Sequence, residues 1–350
     1  VLSRRSTYRA HGAARRARMR AALLALRLKY GEHIIRYAAE LAAPSAGGRR
    51  APLSTGSFAL DLLTSGLVRG HISEYGGVEG SGTSALAAAA LAACQRAGGL
   101  AVLLDADATA DPDTLEEAGV DLAQLVLVCP TTAIEGWDAA LGLVRSGALD
   151  LLVVASLSGL VTLPGVGWGA RSLSWRLDRL LTAARGRPTA LLITNTPLGL
   201  HSGSRPGSLP SAADVARSWR TVGGHAVAQA ASLRVALQPG GVQRTPYGDV
   251  AALRVLAAVV KCRGLAREPV VEVAITPRGP RRAVEVLTLG RLAGCIQEMP
   301  QGLLAAGTLL GRSVARAADH LDADPALAAE VEARVRVAWA THGAPAATAS

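Results

Sequence analysis

One segment constrains the chain more than any other: Gly77-Val78-Glu79-Gly80-Ser81-Gly82-Thr83-Ser84. It follows the apolar run Ile72–Tyr75 and opens an Ala-rich helical stretch from about 84 to 96. A glycine-rich turn from strand to helix is the context of a phosphate-binding loop, in which backbone N–H groups and a helix N-terminus face an anion. The spacing fits G-x-x-x-x-G-K-[ST] at every position but one, where Thr83 replaces the lysine, while Ser84 keeps a hydroxyl suited to Mg²⁺. The same residues also fit a strand–helix turn that binds nothing.

The surrounding pattern sets the fold class. Leu100–Leu104, Leu125–Val128, Leu149–Ala155 and Thr189–Thr194 read as strands separated by helical segments. Such alternation predicts an α/β fold with a mostly parallel sheet covered on both faces. Strands near 232–237, 251–260 and 270–275 lack long helices between them and predict an antiparallel extension. Residues 17–43 have helical spacing broken at Gly31, and 44–52 form a linker. Residues 197–211 are rich in Gly, Ser and Pro and read as a mobile loop. The stretch from about 300 to 342 reads as a separate helical segment, with Asp324-Pro325 as the start of its last helix. The expected division is 1–50 (basic arm and helix), 51–290 (core), 291–343 (C-terminal helical lid) and 344–350 (tail).

Charge and composition narrow the partners. With 37 basic and 27 acidic residues the chain carries +10, which favours a polyanion, nucleic acid before membrane. All basic residues but Lys29 and Lys261 are Arg, which a GC-rich genome also explains. Aromatics are 3%, too few for a broad base-stacking surface. Cys94, Cys129, Cys262 and Cys295 are far apart, as for free thiols in a reducing cytosol. The longest apolar run, Ala85 to Cys94, is about half a membrane span, so a cytoplasmic protein is expected. The arginines of residues 1–20 read as a solvated arm, and the Val1 start fits an alternative start codon or a truncation.

Several further segments carry a resemblance. Leu53-Ser54-Thr55-Gly56-Ser57-Phe58-Ala59-Leu60-Asp61, Gly70-His71-Ile72-Ser73-Glu74, Leu104 through Pro112 (LDADATADP) and Ala118-Gly119-Val120-Asp121 resemble, in this order, the RecA recombinase family. So do Arg145–Asp150 before a strand like that family's Walker B, Thr221–Ala226, Val260–Arg263, Leu321–Arg336 and Lys29-Tyr30-Gly31. The resemblance covers nearly everything after about residue 20. It implies a RecA-like P-loop NTPase core, an N-terminal helical arm for polymerisation and a small C-terminal α-rich domain. It also implies ATP with Mg²⁺, filaments on single-stranded DNA, strand exchange and co-protease signalling in the SOS response to DNA damage.

Against that pattern, Thr83 stands at the lysine and Ala155 at the Walker B carboxylate. Asp107 stands at the catalytic Glu, Thr114 at the adenine-stacking aromatic and Thr196 at the γ-phosphate-sensing Gln. Losing one charged hydrogen bond costs about 1.5–3 kcal/mol, and losing an outer metal partner about 10–100-fold. The core strands stay apolar, so the pattern reads as selective loss of hydrolysis. Gly77, Gly80, Ser81, Gly82, Thr83, Ser84 and Asp111 remain as nucleotide candidates, Ser84 for Mg²⁺, and Asp107 as a general base. By resemblance, DNA would meet the loop near Leu163–Trp168, with Arg171 and Ser174, and the loop 197–224, with Arg205, Arg220, Gly223 and Gly224. Arg176 and Arg179 add charge, and Trp168 is placed to stack a base or to pack. Lys261 and Arg263 resemble the pair that reaches a neighbour's nucleotide, the neighbour being a second copy or a genuine RecA. Three functions stay open: a DNA repair protein with weak or lost ATPase, an active recombinase with relocated catalytic groups, and a non-catalytic accessory protein of the kind found in translesion synthesis.

Overall fold

The computed structural model describes residues 21, 24, 25, 28, 29, 51–165, 170–198, 219–244, 250–262, 270–305 and 307–342. The residues described between 21 and 29 are helical. Residues 1–20, Trp168, Arg205, Arg263, most of the 197–211 loop and the tail 344–350 lie outside the described residues.

From residue 51 onward the order is α1 (Phe58–Thr64), β1 (Ile72–Gly77), α2 (Thr83–Arg96), β2 (Ala101–Asp105), α3 (Pro112–Glu117), β3 (Val126–Val128), α4 (Ala133–Ser146), β4 (Leu151–Ala155), α5 (Leu157–Thr162), α6 (Ala170–Ala184) and β5 (Ala190–Asn195). Then follow α7 (Gly224–Ala230), β6 (Ala231–Arg244), β7 (Val250–Cys262), β8 (Val270–Thr276), β9 (Gly279–Pro280) and α8 (Arg282–Leu292). The chain closes with β10 (Ile296–Met299), β11 (Gly302–Ala305), β12 (Thr308–Gly311), α9 (Val314–Ala323) and α10 (Pro325–His342).

Strands β1 to β9 form one sheet in the order β3-β2-β4-β5-β1-β6-β7-β8-β9. It is parallel from β3 through β6 and antiparallel from β7 onward. The antiparallel extension expected from residue 232 thus starts one strand later, because the chain crosses back over the sheet before β6. The apolar strands β1, β2, β4 and β5 are buried on both faces, as their unbroken sequence predicts, whereas β3 at the sheet edge leaves Val126 and Leu127 exposed. Along β4, Leu151 and Val153 point into one core, with α2, while Leu152 and Val154 point into the other, with α4, α5, α6 and α7.

With few aromatics, the core depends on close approach of small residues. Nine residues of α2, five of them among Ala87–Ala90 and Ala92, are buried. A Cβ on Gly56 would lie 2.5 Å from the Ala89 carbonyl carbon, so glycine there lets the preceding loop sit on α2.

Side chains cap several helix starts, Asp324 among them as expected. Thr132 and Glu135 form a capping box on α4, and Asp324 accepts from Leu327 N (3.0 Å) ahead of Pro325. The C-terminal segment is a correction to the sequence reading. Its helical character holds from Val314 to His342, but β10, β11 and β12 form a three-stranded antiparallel sheet before it. These four-residue strands are too short to show a period of two; the positive-φ glycines Gly294 and Gly307 lie in the adjoining turns and Gly302 opens β11. Arg282 pairs with Glu332 (2.5 Å), and Arg282 and Arg336 lie 5.2 and 4.7 Å from the Phe58 ring, joining α10 to α8 and α1.

Glu285, 1% exposed, holds the start of α1: Ser57 Oγ (2.6 Å), Phe58 N (2.7 Å) and Ala59 N (3.3 Å) donate to it. Burial pushes its carboxyl up to about 7, against the opposing pull of these donors. The folded group therefore holds its proton more tightly than the unfolded one. That contribution is complete below about pH 4.5 and is lost as pH rises through 7. The expected result is a stability loss of up to about 3 kcal/mol between pH 5 and 8, traced by urea unfolding. Glu285→Gln should flatten that slope; an unchanged slope would locate the titration elsewhere.

Candidate functional site

The site forms where the strands' C-terminal ends meet the loops, the edge at which open α/β sheets bind ligands. The glycine-rich turn joins β1 to α2. A Cβ on Gly77 would lie 2.0 Å from Ser81 Oγ, and one on Gly82 would lie 2.6 Å from Ile275 Cδ1. Gly82 also has φ +84°, so this position requires glycine for both space and backbone. Gly80, at φ +74°, has open space around it. Ser81 is buried, and its Oγ has no hydrogen-bond partner among the described residues. No side chain caps α2, so the first N–H groups of this 14-residue helix are left for an external acceptor. Thr83 is half-buried in its first turn and Ser84 is exposed. An uncapped helix start under an open glycine loop fits a phosphate group. For a divalent cation the fit is thinner: among the described residues no cluster of three His, Cys, Asp or Glu side chains exists, and the turn itself offers the hydroxyls of Ser81, Thr83 and Ser84.

At the same edge of the sheet, with β4 and β5 between them and β1, carboxylates are arranged around turns. Asp105 ends β2, is buried, and accepts from Thr109 N (3.2 Å) and Ala110 N (2.8 Å). Its register partner on β4 is Ala155, a methyl group. Asp107 is exposed and lies against α5: a Cβ on Gly159 would fall 1.7 Å from Asp107 Oδ1. Asp111 caps α3, and hydrogen bonds from the Thr114 hydroxyl and then its N–H hold the carboxyl below its usual range. A hydroxyl chain crosses from β4 to β5, Ser156 Oγ to Ser158 Oγ (2.6 Å) and Ser158 Oγ to Thr196 Oγ1 (3.0 Å). The β1–β5 register pairs Gly76 with Asn195, which sets Thr196 alongside the start of the glycine loop.

Sequence reasoning missed the hub beneath these groups. Glu74, wholly buried on β1, accepts from Asn195 Nδ2 (2.8 Å), Thr221 Oγ1 (2.6 Å) and Arg234 Nε (2.5 Å). Asn195 also donates to the Val222 carbonyl (2.9 Å). The two ends of the 197–224 loop meet here, with Leu198 N donating to Arg220 O (2.6 Å) and Val222 N to Thr196 O (3.1 Å). The signal available was a Glu inside an apolar strand, a residue type that is seldom buried without partners. Trp219 was missed too: its ring lies on Gly76, where a Cβ would come within 2.6 Å of Cζ2.

Of the residues considered for DNA, Arg171 and Arg220 are exposed, and Ser174 and Arg176 are half-buried. Gly223 has φ +85°, and a Cβ there would meet Leu173 Cδ2 at 2.7 Å. This close approach brings the Gly223-Gly224 turn to the N-terminal half of α6, the helix that carries Arg171. Lys261 Nζ donates to the Ala228 carbonyl (2.7 Å) at the C-terminus of α7, a position favourable for a cation. Among the described residues, no helix is long and apolar enough to cross a membrane.

Comparison with known proteins agrees with this geometry. Residues 20–169 match the family model of the RecA N-terminal domain. Protein RecA of Rhodospirillum centenum is 32% identical over 323 residues, covering 87% of this chain and 87% of the relative. Protein RecA of Acidothermus cellulolyticus is 30% identical over 307 residues (82% and 84%), and that of Leifsonia xyli subsp. xyli is 39% identical over 160 residues (42% and 45%). Similarity along most of both lengths, together with a glycine loop on a parallel sheet that continues antiparallel, places this chain in the RecA family of DNA recombination and repair proteins.

Proposed function

We propose that this RecA-family protein binds single-stranded DNA in recombination or repair, keeps a weakened nucleotide site, and hydrolyses ATP slowly or not at all. One observation carries the reading. The glycine turn of Gly77–Ser84 leaves an uncapped helix start, yet the two positions around it that would supply charge hold neutral groups, Thr83 and Ala155. ATP with Mg²⁺ supplies the reacting phosphoryl group when bound. The chain's own part is then to hold phosphate oxygens on the α2 N–H groups and the Thr83 and Ser84 hydroxyls. Asp107 is the group left to take a proton from water. Phosphoryl transfer depends on charge stabilisation more than on covalent chemistry, so neutral substitutes favour binding over turnover.

For DNA, Arg171 and Arg220 neutralise phosphates, Ser174 and Arg176 support them on α6, and Gly223 and Gly224 let backbone N–H groups approach. Arg205 and Arg263 complete the proposal from outside the described residues. Lys261 and Arg263 serve docking to a second copy or to a genuine RecA. The division at residues 290 and 291 belongs to the same proposal.

The test is ATP hydrolysis with and without single-stranded DNA, with binding followed by anisotropy in the same samples at two salt concentrations. Binding that weakens steeply with salt, without turnover, is the expected result. DNA-stimulated turnover at rates usual for a working ATPase would reverse the assignment of Thr83 and Ala155.

A further inference from the structure

We infer that Trp175 on α6 is a stacking platform for an unpaired nucleobase, with Arg171 one helical turn away as the partner of the adjoining phosphate. The inference rests on the DNA-binding reading above and adds a residue which that reading did not contain.

Trp175 is 54% exposed, and no other aromatic side chain among the described residues is more than about a third exposed. In a chain with 3% aromatics, the cores already take Trp137 and Phe58, so an indole left in water is not surplus core. The exposed positions of α6 are Arg171, Trp175, Asp178 and Thr182, one stripe at spacings of three and four. Arg179 lies over the Trp175 ring at 4.6 Å from its centroid, and the Arg176 guanidinium is 6.0 Å away. An arginine on an indole fixes the ring and offers positive charge beside it. Arg171, Arg176 and Arg179 outnumber the two carboxylates of this strip, Asp138 and Asp178.

The shape of the surroundings selects the occupant. The cleft between Trp175 and the α4 residues Trp137, Asp138 and Leu141 is about 10 Å³, room for no more than one water. The cleft is too small to take an inserted side chain, so what a ligand can contact here is the exposed indole itself. A nucleobase is flat, and base–aromatic stacking tolerates any sequence. Position completes the argument. Leu173, on the buried face of the same two turns of α6, meets the Gly223 turn, so the N-terminal half of this helix lies where the second loop returns to the fold. A strand held at Arg171 and Arg220 would run past Trp175.

The full chain is titrated with two probes by anisotropy: a labelled oligothymidine, and an abasic oligodeoxyribose phosphate of equal length. Trp175→Ala is expected to weaken oligothymidine binding about tenfold, leave the abasic probe unaffected, and leave the salt slope unchanged, because no phosphate contact is lost. Trp175→Phe, which keeps a ring, should lose about threefold or less. Equal losses on both probes would mean that Trp175 only shapes the helix, and unchanged oligothymidine binding would mean that it touches no base; either overturns the inference. A shift in oligomeric state with unchanged DNA binding would assign the indole to a protein contact and overturn it as well. Should the natural chain bind neither probe, the DNA-binding reading itself falls and the stacking site with it.

Discussion

A Thr83→Lys, Ala155→Asp double variant should hydrolyse ATP in the presence of single-stranded DNA on the order of 100-fold faster than the natural chain. Each substitution restores a charge at a place where the backbone is already suitable. Thr83 is half-buried in the first turn of an uncapped helix, below open space at Gly80. A lysine there adds charged hydrogen bonds to phosphate, each worth about 1.5–3 kcal/mol, so Thr83→Lys alone should tighten ATP binding about tenfold or more. Without nucleotide, the same lysine opposes the positive end of α2 and should slightly destabilise the apo protein. Ala155→Asp sets a carboxylate beside Asp105 in the β2–β4 register. Two adjacent carboxylates repel unless a cation lies between them, so the melting temperature of this variant should become Mg²⁺-dependent. Single-turnover hydrolysis and nucleotide titrations measure both effects. A double variant that binds ATP tightly yet turns over no faster would place the block elsewhere, with the shorter Asp107 as the next group to change.

The parts of this molecule that were legible in the sequence are those whose signals are local. The glycine loop is one continuous segment with a strand before it and a helix after it. Leu151–Ala155 and Ala190–Asn195 read as buried strands because sheets covered on both faces demand unbroken apolar runs. What stayed hidden depends on strand order. Glu74, Asn195, Thr221 and Arg234 are single polar residues far apart in the chain, and they meet because β5, β1 and β6 lie side by side. The Ser156–Ser158–Thr196 chain depends in the same way on β4 lying next to β5. Trp175 is misleading for the opposite reason. An aromatic within a helical pattern normally marks the buried face, and here it falls on the stripe that faces water.

The hub around Glu74 yields the largest expected change in stability. Glu74 is wholly buried, and the Arg234 side chain is 10% exposed. Pairing buried charges adds little net stability, but removing one partner strands the other, at about 3–5 kcal/mol. Arg234→Met, close in length and apolar, should therefore lower stability by about that amount and the melting temperature by about 4–7 °C, given the size of the chain. The Thr221 and Asn195 hydrogen bonds remain, but neither supplies charge. Adding Glu74→Gln removes the stranded charge, so the double variant should be more stable than Arg234→Met alone, a non-additivity that a thermal and urea double-mutant cycle reads directly. The same hub holds both ends of the 197–224 loop, with Asn195 at its start and Thr221 and Val222 at its end. Arg234→Met should therefore also speed proteolytic cleavage within that loop and weaken DNA binding more than its distance from any exposed arginine suggests. A loss below about 1 kcal/mol, or a double variant no better than the single, would mean that water or rearranged donors satisfy Glu74 without Arg234. The loop would then be anchored by the Asn195 and Thr221 bonds to Glu74 and by the backbone bonds at its ends, with Arg234 adding little to its coupling to the strand that carries the glycine turn.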